Sequence, residues 1–542
     1  CEAKMASIMN AYQELDGVPC AISKKLLNDI LRDEWGFEGT VVSDYFAINM
    51  LIEYHYVARN KIEAARMALE AGIDVELPST DCFGEAFRQA VEKGDIRQDL
   101  VDQALRRVLT QKIALGVFEA PYVDVGKVAF DTPDQRQLAH EIAQKSIILL
   151  KNDDLLPLAK DTPSIAVIGP NADQVRNLFG DYAYPAHIES LMEMRDRNNV
   201  FDMPIPADFE SVDDFIPVIS VLQAIREKVS SQTQVAYAKG CDVLSESTEG
   251  FAEAVAIAHK ADVALLIVGD KGGITADCTS GEARDRAEIG LPGVQEALVK
   301  AIVDTGTPVV LVLINGRPVT LDWMAEDIPA IVEAWFPAEE GGNAIADMLF
   351  GDVNPGGKLP ISFPRAVGQI PVYYGHKPSG GRSHWLGDYV STSSRPLYPF
   401  GHGLSYTTFA FDTLRIEQAE VKAGEAVTIR VDVRNVGGCA GDEVVQLYIH
   451  KGSTSVTRPM KQLKGFKRVT LQPGETKTIT FVLAANQLAF YDRVMDYVLE
   501  PGPVEVMIGS SSEDIHLTGS FTVVGDTTVI HDKTFFSTAE LG

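Results

Sequence analysis

Val263-Ala264-Leu265-Leu266-Ile267-Val268-Gly269 is a run of seven residues without a polar side chain. A strand with one face in water alternates apolar and polar residues, whereas a strand covered on both faces need not. The run therefore predicts a central strand of a parallel or mixed sheet clothed by helices. Ser164–Gly169, Val309–Ile314 and Ile328–Trp335 have the same character, and helical spacing is read at Val294–Thr305 and Ala344–Phe350. Together they predict an α/β sandwich over residues 146–370.

Beyond a Gly/Pro/Ser-rich connector, 371–405, the period changes to two. Val427–Val433, Glu443–Ile449, Thr476–Val482 and Val504–Ile508 alternate, with turns such as Gly437-Gly438 and Pro473-Gly474 between them. This pattern predicts a β-sandwich over 406–525, followed by a tail, 526–542. Upstream of a linker, 121–145, helical patterns at Ser23–Trp35, Lys61–Ala71 and Leu100–Leu115 interleave with short apolar runs, Thr40-Val41-Val42-Ser43-Asp44 and Ile73-Asp74-Val75-Glu76-Leu77. Gly72 and Gly116 stand where helix C-caps are expected. Alternating β and α elements with polar residues at strand exits predict the C-terminal part of a (β/α)8 barrel over 1–120, with about three of the eight strands a closed barrel needs.

A formal net charge of −28 disfavours polyphosphate partners, so nucleic acid is not expected. The six cysteines, Cys1, Cys20, Cys82, Cys241, Cys278 and Cys439, form no CxxC pair or Cys/His cluster, so neither a disulfide framework nor a metal site is expected. No apolar stretch approaches the ~20 residues of a membrane span. Cys1-Glu2-Ala3-Lys4 is neither an initiator region nor a signal peptide, so the sequence assigns no compartment.

Several motifs lie in a telling order. Gly39-Thr40-Val41-Val42-Ser43-Asp44-Tyr45 comes first, then Ser280-Gly281-Glu282-Ala283-Arg284-Asp285-Arg286 leading to Leu291-Pro292-Gly293. Glu339-Glu340-Gly341-Gly342 and Asn354-Pro355-Gly356-Gly357-Lys358-Leu359-Pro360 follow, and Tyr398-Pro399-Phe400-Gly401-His402-Gly403-Leu404-Ser405-Tyr406 closes the series. The chain resembles glycoside hydrolase family three, of the β-glucosidase/β-xylosidase type, over nearly all its length. The resemblance implies a barrel, an α/β sandwich and a fibronectin type III-like sandwich, an exo-acting retaining β-glycosidase and no cofactor. It also implies that the chain starts inside the barrel. The half that supplies an aspartate, an arginine and a Lys-His pair to the sugar ring lies outside it.

Glycoside cleavage through an oxocarbenium-like transition state needs two carboxyl groups with different tasks. Asp44 matches the family's nucleophile and Glu282, in a loop of the second domain, its acid/base; Asp285 and Glu288 are rivals in that loop. Docking of the two domains is then part of the catalytic geometry. Tyr45, where the family usually has tryptophan, is a candidate to stack under a sugar. Met9 and Tyr12 match positions that line the sugar site, Tyr12 as a donor to the nucleophile. Asp181, Tyr182 and His187 form a polar loop with a weaker claim on substrate. Arg284, Arg286 and His402 are read as structural.

Gly351–Lys358 lacks the Gly-Lys-Ser/Thr ending of a phosphate loop, and no G-x-S-x-G elbow stands out. The family's histidine-dyad N-acetylglucosaminidases and phosphorylases do without a Glu282 loop. The rival from another class is a silent carbohydrate-binding paralogue or an inactive truncated product. Part of a barrel on its own exposes strand edges, and aggregation is the expected consequence. The expected substrate is a terminal β-linked glucoside, with β-xyloside as the alternative; the oligomeric state is left open.

Overall fold

A computed structural model of the chain describes residues 4–197, 216–380 and 387–542. The backbone gathers into two compact units, 1–130 and 131–542.

In the first unit, β1 (Ser7–Met9) pairs in parallel with β2 (Thr40–Val42), Met9 opposite Val42. A short helix, Met50–Glu53, and three longer ones follow: α1 (Lys61–Ala71), α2 (Glu85–Lys93) and α3 (Gln98–Ala114). The Asn60 side chain caps α1 by accepting the Glu63 N–H, and Gly72 closes it at φ 111°, the left-handed conformation expected of that glycine. The apolar face of α1, with Ala64, Ala65 and Ala68 wholly buried, packs with Val41, Ile48, Leu51 and Ile73. Two sequence expectations change. The helix read at Ser23–Trp35 is a π-helix, Lys25–Glu34, in which the Trp35 N–H reaches back five residues to the Ile30 carbonyl. The strand read at Ile73–Leu77 narrows to a single parallel bridge, Val42 to Val75. The pairing stops because the Ser43 hydroxyl oxygen takes the Leu77 N–H at 2.9 Å and Pro78 has none to offer.

The second unit opens with α4 (Pro133–Ser146), capped by a reciprocal Thr132–Gln135 box. A six-stranded sheet follows, built from β3 (Ile148–Asn152), β4 (Ser164–Ile168), β5 (Gln234–Ala238), β6 (Val263–Gly269), β7 (Val309–Ile314) and β8 (Ala330–Glu333). Its order is β3-β8-β7-β6-β4-β5, and all its pairings are parallel except β3 with β8. Every residue of β6 and β7 is buried, which is what their unbroken apolar runs predict. Side chains on one face, Ile165, Leu265 and Val310 among them, pack against α4, α6 (Val221–Lys228) and α9 (Gly341–Leu349). Those on the other face, such as Ala166, Leu266 and Leu311, pack against α7 (Phe251–Ala258) and α8 (Gln295–Val303). A further helix, α5 (Tyr184–Arg197), follows the β4 loop.

The end of the Gly/Pro-rich connector is stitched to this layer. Backbone bonds link Phe363 with Tyr398, Leu359 with His402 and Leu149 with Leu404. The sandwich then follows: β9 (Phe409–Ile416), β10 (Glu420–Val421), β11 (Ala426–Asn435), β12 (Gly441–Lys451), β13 (Gln462–Leu471), β14 (Thr476–Ala484), β15 (Gly502–Gly509), β16 (Ile515–Val523) and β17 (Thr538–Leu541). One sheet runs β9-β11-β14-β17, the other β10-β16-β15-β12-β13. Along β11, Val427, Ile429, Val431 and Val433 point inward while the residues between them face outward, the period-two arrangement of a half-buried strand.

Candidate active site

In the first unit, the parallel pairing of β1 and β2 brings Met9 and Val42 level, so the residues that follow both strands leave from the same, C-terminal, end. Ser43, wholly buried, fixes that exit by donating its N–H to the Val75 carbonyl at 2.8 Å and accepting from Leu77. Asp44 comes next. Its carboxylate Oδ1 accepts the Tyr45 N–H at 2.7 Å, its carbonyl accepts the Ala47 N–H at 3.0 Å, and its own N–H donates to Asn10 Oδ1 at 3.3 Å. The Asp44 side chain is thus set by a tight turn at a strand exit, the face on which barrel enzymes assemble their sites. Tyr45 and Met9 are both about half exposed, at 46% and 51%. The structure therefore brings Met9, Asp44 and Tyr45 to one end of the strand pair. Tyr12 lies three residues beyond Met9; its carbonyl lies 2.9 Å from His55 Nε2. Asn10 is the residue the sequence reading passed over. It is buried and joins the two strand exits, and nothing in a lone asparagine between Met9 and Ala11 announces that.

In the second unit, the parallel strands end on polar residues: Asp270 after β6, Asn315 after β7 and Glu333 closing β8, all wholly buried. Asp270 Oδ1 accepts the Thr279 hydroxyl at 2.8 Å and lies 3.4 Å from Arg286 Nη2. Burial pushes the Asp270 carboxyl up, and Arg286 and the Thr279 hydrogen bond oppose that. The Thr279 oxygen also takes the Lys271 N–H at 3.0 Å. These contacts pin both feet of the loop that carries Glu282. Arg284 Nε donates to the Ile274 carbonyl at 3.2 Å and Arg286 Nη1 to that of Gly290 at 2.9 Å, so both arginines brace this loop. Asp285 and Glu288 are exposed, as is Glu282. Glu282, however, is gripped from a second loop: its N–H donates to Asp181 Oδ2 at 2.6 Å, and the Tyr182 hydroxyl donates to its Oε2. His187 packs its ring against Tyr182 with centroids 5.7 Å apart. His402, far from this loop in sequence, has its Nε2 2.9 Å from the Leu150 carbonyl, and burial lowers its pKa.

One cluster of possible metal ligands occurs among the described residues, Glu76, Asp81 and Cys82. Its chemistry argues against a cation. The Glu76 carboxylate already accepts the backbone N–H groups of Asp81, Cys82 and Phe83 at 2.9, 2.8 and 2.7 Å, and burial with nearby carboxylates pushes the Cys82 thiol up to about 12.

Residues 1–111 match the glycosyl hydrolase family 3 N terminal domain, 147–406 the family 3 C-terminal domain and 443–512 a fibronectin type III-like domain. A β-xylosidase of Formosa agariphila is 41% identical over 522 residues, covering 94% of this chain and 68% of its own. A periplasmic β-glucosidase of Salmonella typhimurium is 36% identical, covering 96% and 68%. A Listeria innocua β-glucosidase solved with glucose superposes with a TM-score of 0.81 at 34% identity, covering 96% of this chain and 67% of that one. The chain thus spans about two thirds of the length of each.

Proposed function

The chain belongs to glycosyl hydrolase family 3, and from that premise we propose that it removes terminal β-linked glucose from oligosaccharides or glycosides with retention, Asp44 as nucleophile and Glu282 as acid/base. Its class, a glycoside hydrolase acting on carbohydrate, follows from the family and its β-glucosidase and β-xylosidase relatives. The observation that carries the finer reading is the placing of Asp44 at the exit of a parallel strand, with its backbone and carboxylate both held.

In the first step the Asp44 carboxylate attacks the anomeric carbon while Glu282 passes its proton to the leaving oxygen, giving a glycosyl-aspartate ester. In the second, Glu282 takes a proton from water, whose oxygen attacks the same carbon and releases Asp44. Two inversions give net retention, and the chemistry requires the carboxyl groups to work about 5–5.5 Å apart. Met9, Tyr12 and Tyr45 are assigned to the sugar, Tyr45 as a stacking face. The domain limits that go with this reading are 1–120 for the barrel part, 146–370 for the α/β sandwich and 406–525 for the fibronectin-like module.

A β-xylosidase is the second reading, favoured by the 41% identical relative. Glucose differs from xylose by one hydroxymethyl group, a difference worth roughly 10–200-fold in kcat/KM in a complementary pocket. Aryl β-glucoside and β-xyloside hydrolysis by the full-length protein decides between them. Asp44→Ala should abolish both activities. Glu282→Ala should retain turnover of an activated aryl glycoside when azide is supplied, with a β-configured glycosyl azide as product. Unchanged activity in both variants would refute the assignment.

A further inference from the structure

Glu282 stands between Gly281 at φ 145° and Ala283 at φ 55°. Departures from ordinary backbone on both sides of an exposed side chain need an external hold. The hold comes from residues a hundred positions upstream, in the loop between β4 and α5. Asp181 Oδ2 accepts the Glu282 N–H at 2.6 Å, and the Asp181 carboxylate packs so closely on Gly281 that a Cβ there would lie 3.0 Å from it and 2.3 Å from the Gly273 carbonyl. Tyr182 donates its hydroxyl to Glu282 Oε2, and its ring leans on His187 of α5. One loop thus holds the backbone, the other end of the side chain and the glycine that permits the turn.

We propose that Asp181 and Tyr182 are positioning residues for the acid/base, Asp181 orienting the Glu282 backbone and Tyr182 occupying Oε2 so that Oε1 carries the transferred proton. This rests on Glu282 being the acid/base. A phenol donates more strongly to a carboxylate than to a carboxylic acid. When the Oε1 proton moves to the leaving oxygen, negative charge appears on the carboxyl group that Tyr182 already faces. The interaction is therefore stronger in the transition state of bond cleavage than in the ground state, which is the condition for it to raise the rate. It matters in proportion to the need for the proton, so it should vanish for leaving groups that depart unassisted.

The test is kcat/KM of the full-length protein and its Tyr182→Phe variant on aryl glycosides spanning poor to activated leaving groups. Phenylalanine keeps the ring, so any stacking on an aglycone survives and only the hydroxyl is lost. The expected result is a loss of about tenfold on the poorest leaving group, shrinking to within twofold on a dinitrophenyl glycoside. Asp181→Ala should follow the same slope and Asp181→Asn recover most of it. In a Glu282→Ala background with azide, Tyr182→Phe should change nothing further, because Tyr182 acts through the missing carboxyl. A loss equal across all leaving groups, or one that persists in the Glu282→Ala background, overturns the proposal while leaving the acid/base assignment intact. A Glu282→Ala variant without azide rescue overturns both.

Discussion

Glu333→Gln is expected to make the folded chain progressively more stable than the wild type as pH rises. Glu333 closes β8 with no exposed surface. Its Oε1 accepts the Trp335 N–H at 2.8 Å, while Oε2 is buried with no partner among the described residues. The Trp335 N–H and the Asn315 side chain favour the charged form, while the neighbouring charge, another acid, Asp270, opposes it. No cation pairs with Glu333 among the described contacts, so burial drives its carboxyl well above the usual carboxylate range. A raised folded-state value means the folded chain binds a proton that the unfolded chain has released. The stability this confers is complete below the unfolded value, about 4.3, and drains away as pH rises to the folded value, at about 1.4 kcal/mol per pH unit. Glutamine mimics the protonated acid, retains an acceptor for the Trp335 N–H and does not titrate. Two pH units inside that window should therefore move the difference between the proteins by about 3 kcal/mol in favour of Glu333→Gln. Urea unfolding followed by tryptophan fluorescence at pH 5, 6, 7 and 8 measures it. Parallel stability curves for the two proteins, or a gap that widens in favour of the wild type, would refute the reasoning.

Gly281→Ala places a Cβ 2.3 Å from the Gly273 carbonyl in a backbone at φ 145°, so the Glu282 loop must shift; about a hundredfold loss of kcat on aryl glycosides is expected, with circular dichroism unchanged. Glu76→Ala strands the three N–H groups of Asp81, Cys82 and Phe83 and should cost about 3 kcal/mol in denaturant unfolding, with Glu76→Gln costing less. Leu311→Ala opens a cavity in the fully buried centre of β7, and a loss of about 2–5 kcal/mol is expected from the urea midpoint. Thiol labelling of the folded protein at pH 8 should modify exposed Cys439 and spare Cys82 and Cys241, whose thiols burial pushes up to about 12 and about 11.

Four strands of the sheet, β4, β6, β7 and β8, and four of the sandwich, β11, β12, β14 and β15, are legible in the sequence. β6 and β7 announce themselves because burial on two faces removes every polar residue from the run, and β11 because burial on one face leaves every second residue polar. The Gly72 cap was legible too, since the left-handed backbone it closes selects glycine. The sequence announces neither edge strand of the sheet, β3 or β5, nor β9, β10, β13, β16 and β17 of the sandwich. Ile148–Asn152 follows directly on helix α4, and its antiparallel place beside β8 depends on a partner about 180 residues on. The sequence shows the π-helix only as a helix, because the wider turn leaves the apolar spacing of Leu27 and Leu31 nearly unchanged.

At the site, Asp44 and Glu282 could be picked out as candidates because their motifs set the residue types around them. Asn10, Asp181 and Tyr182 could not be given their contacts in the same way. A period or a cap is written in residues two to four apart, so the chain by itself determines where strands, helices and turns form and which faces they bury. A hydrogen bond from Tyr182 to Glu282 joins positions a hundred residues apart. It exists only because the sheet's packing carries the loop after β4 to the loop after β6, and no local pattern records which of many polar loop residues that packing will bring together.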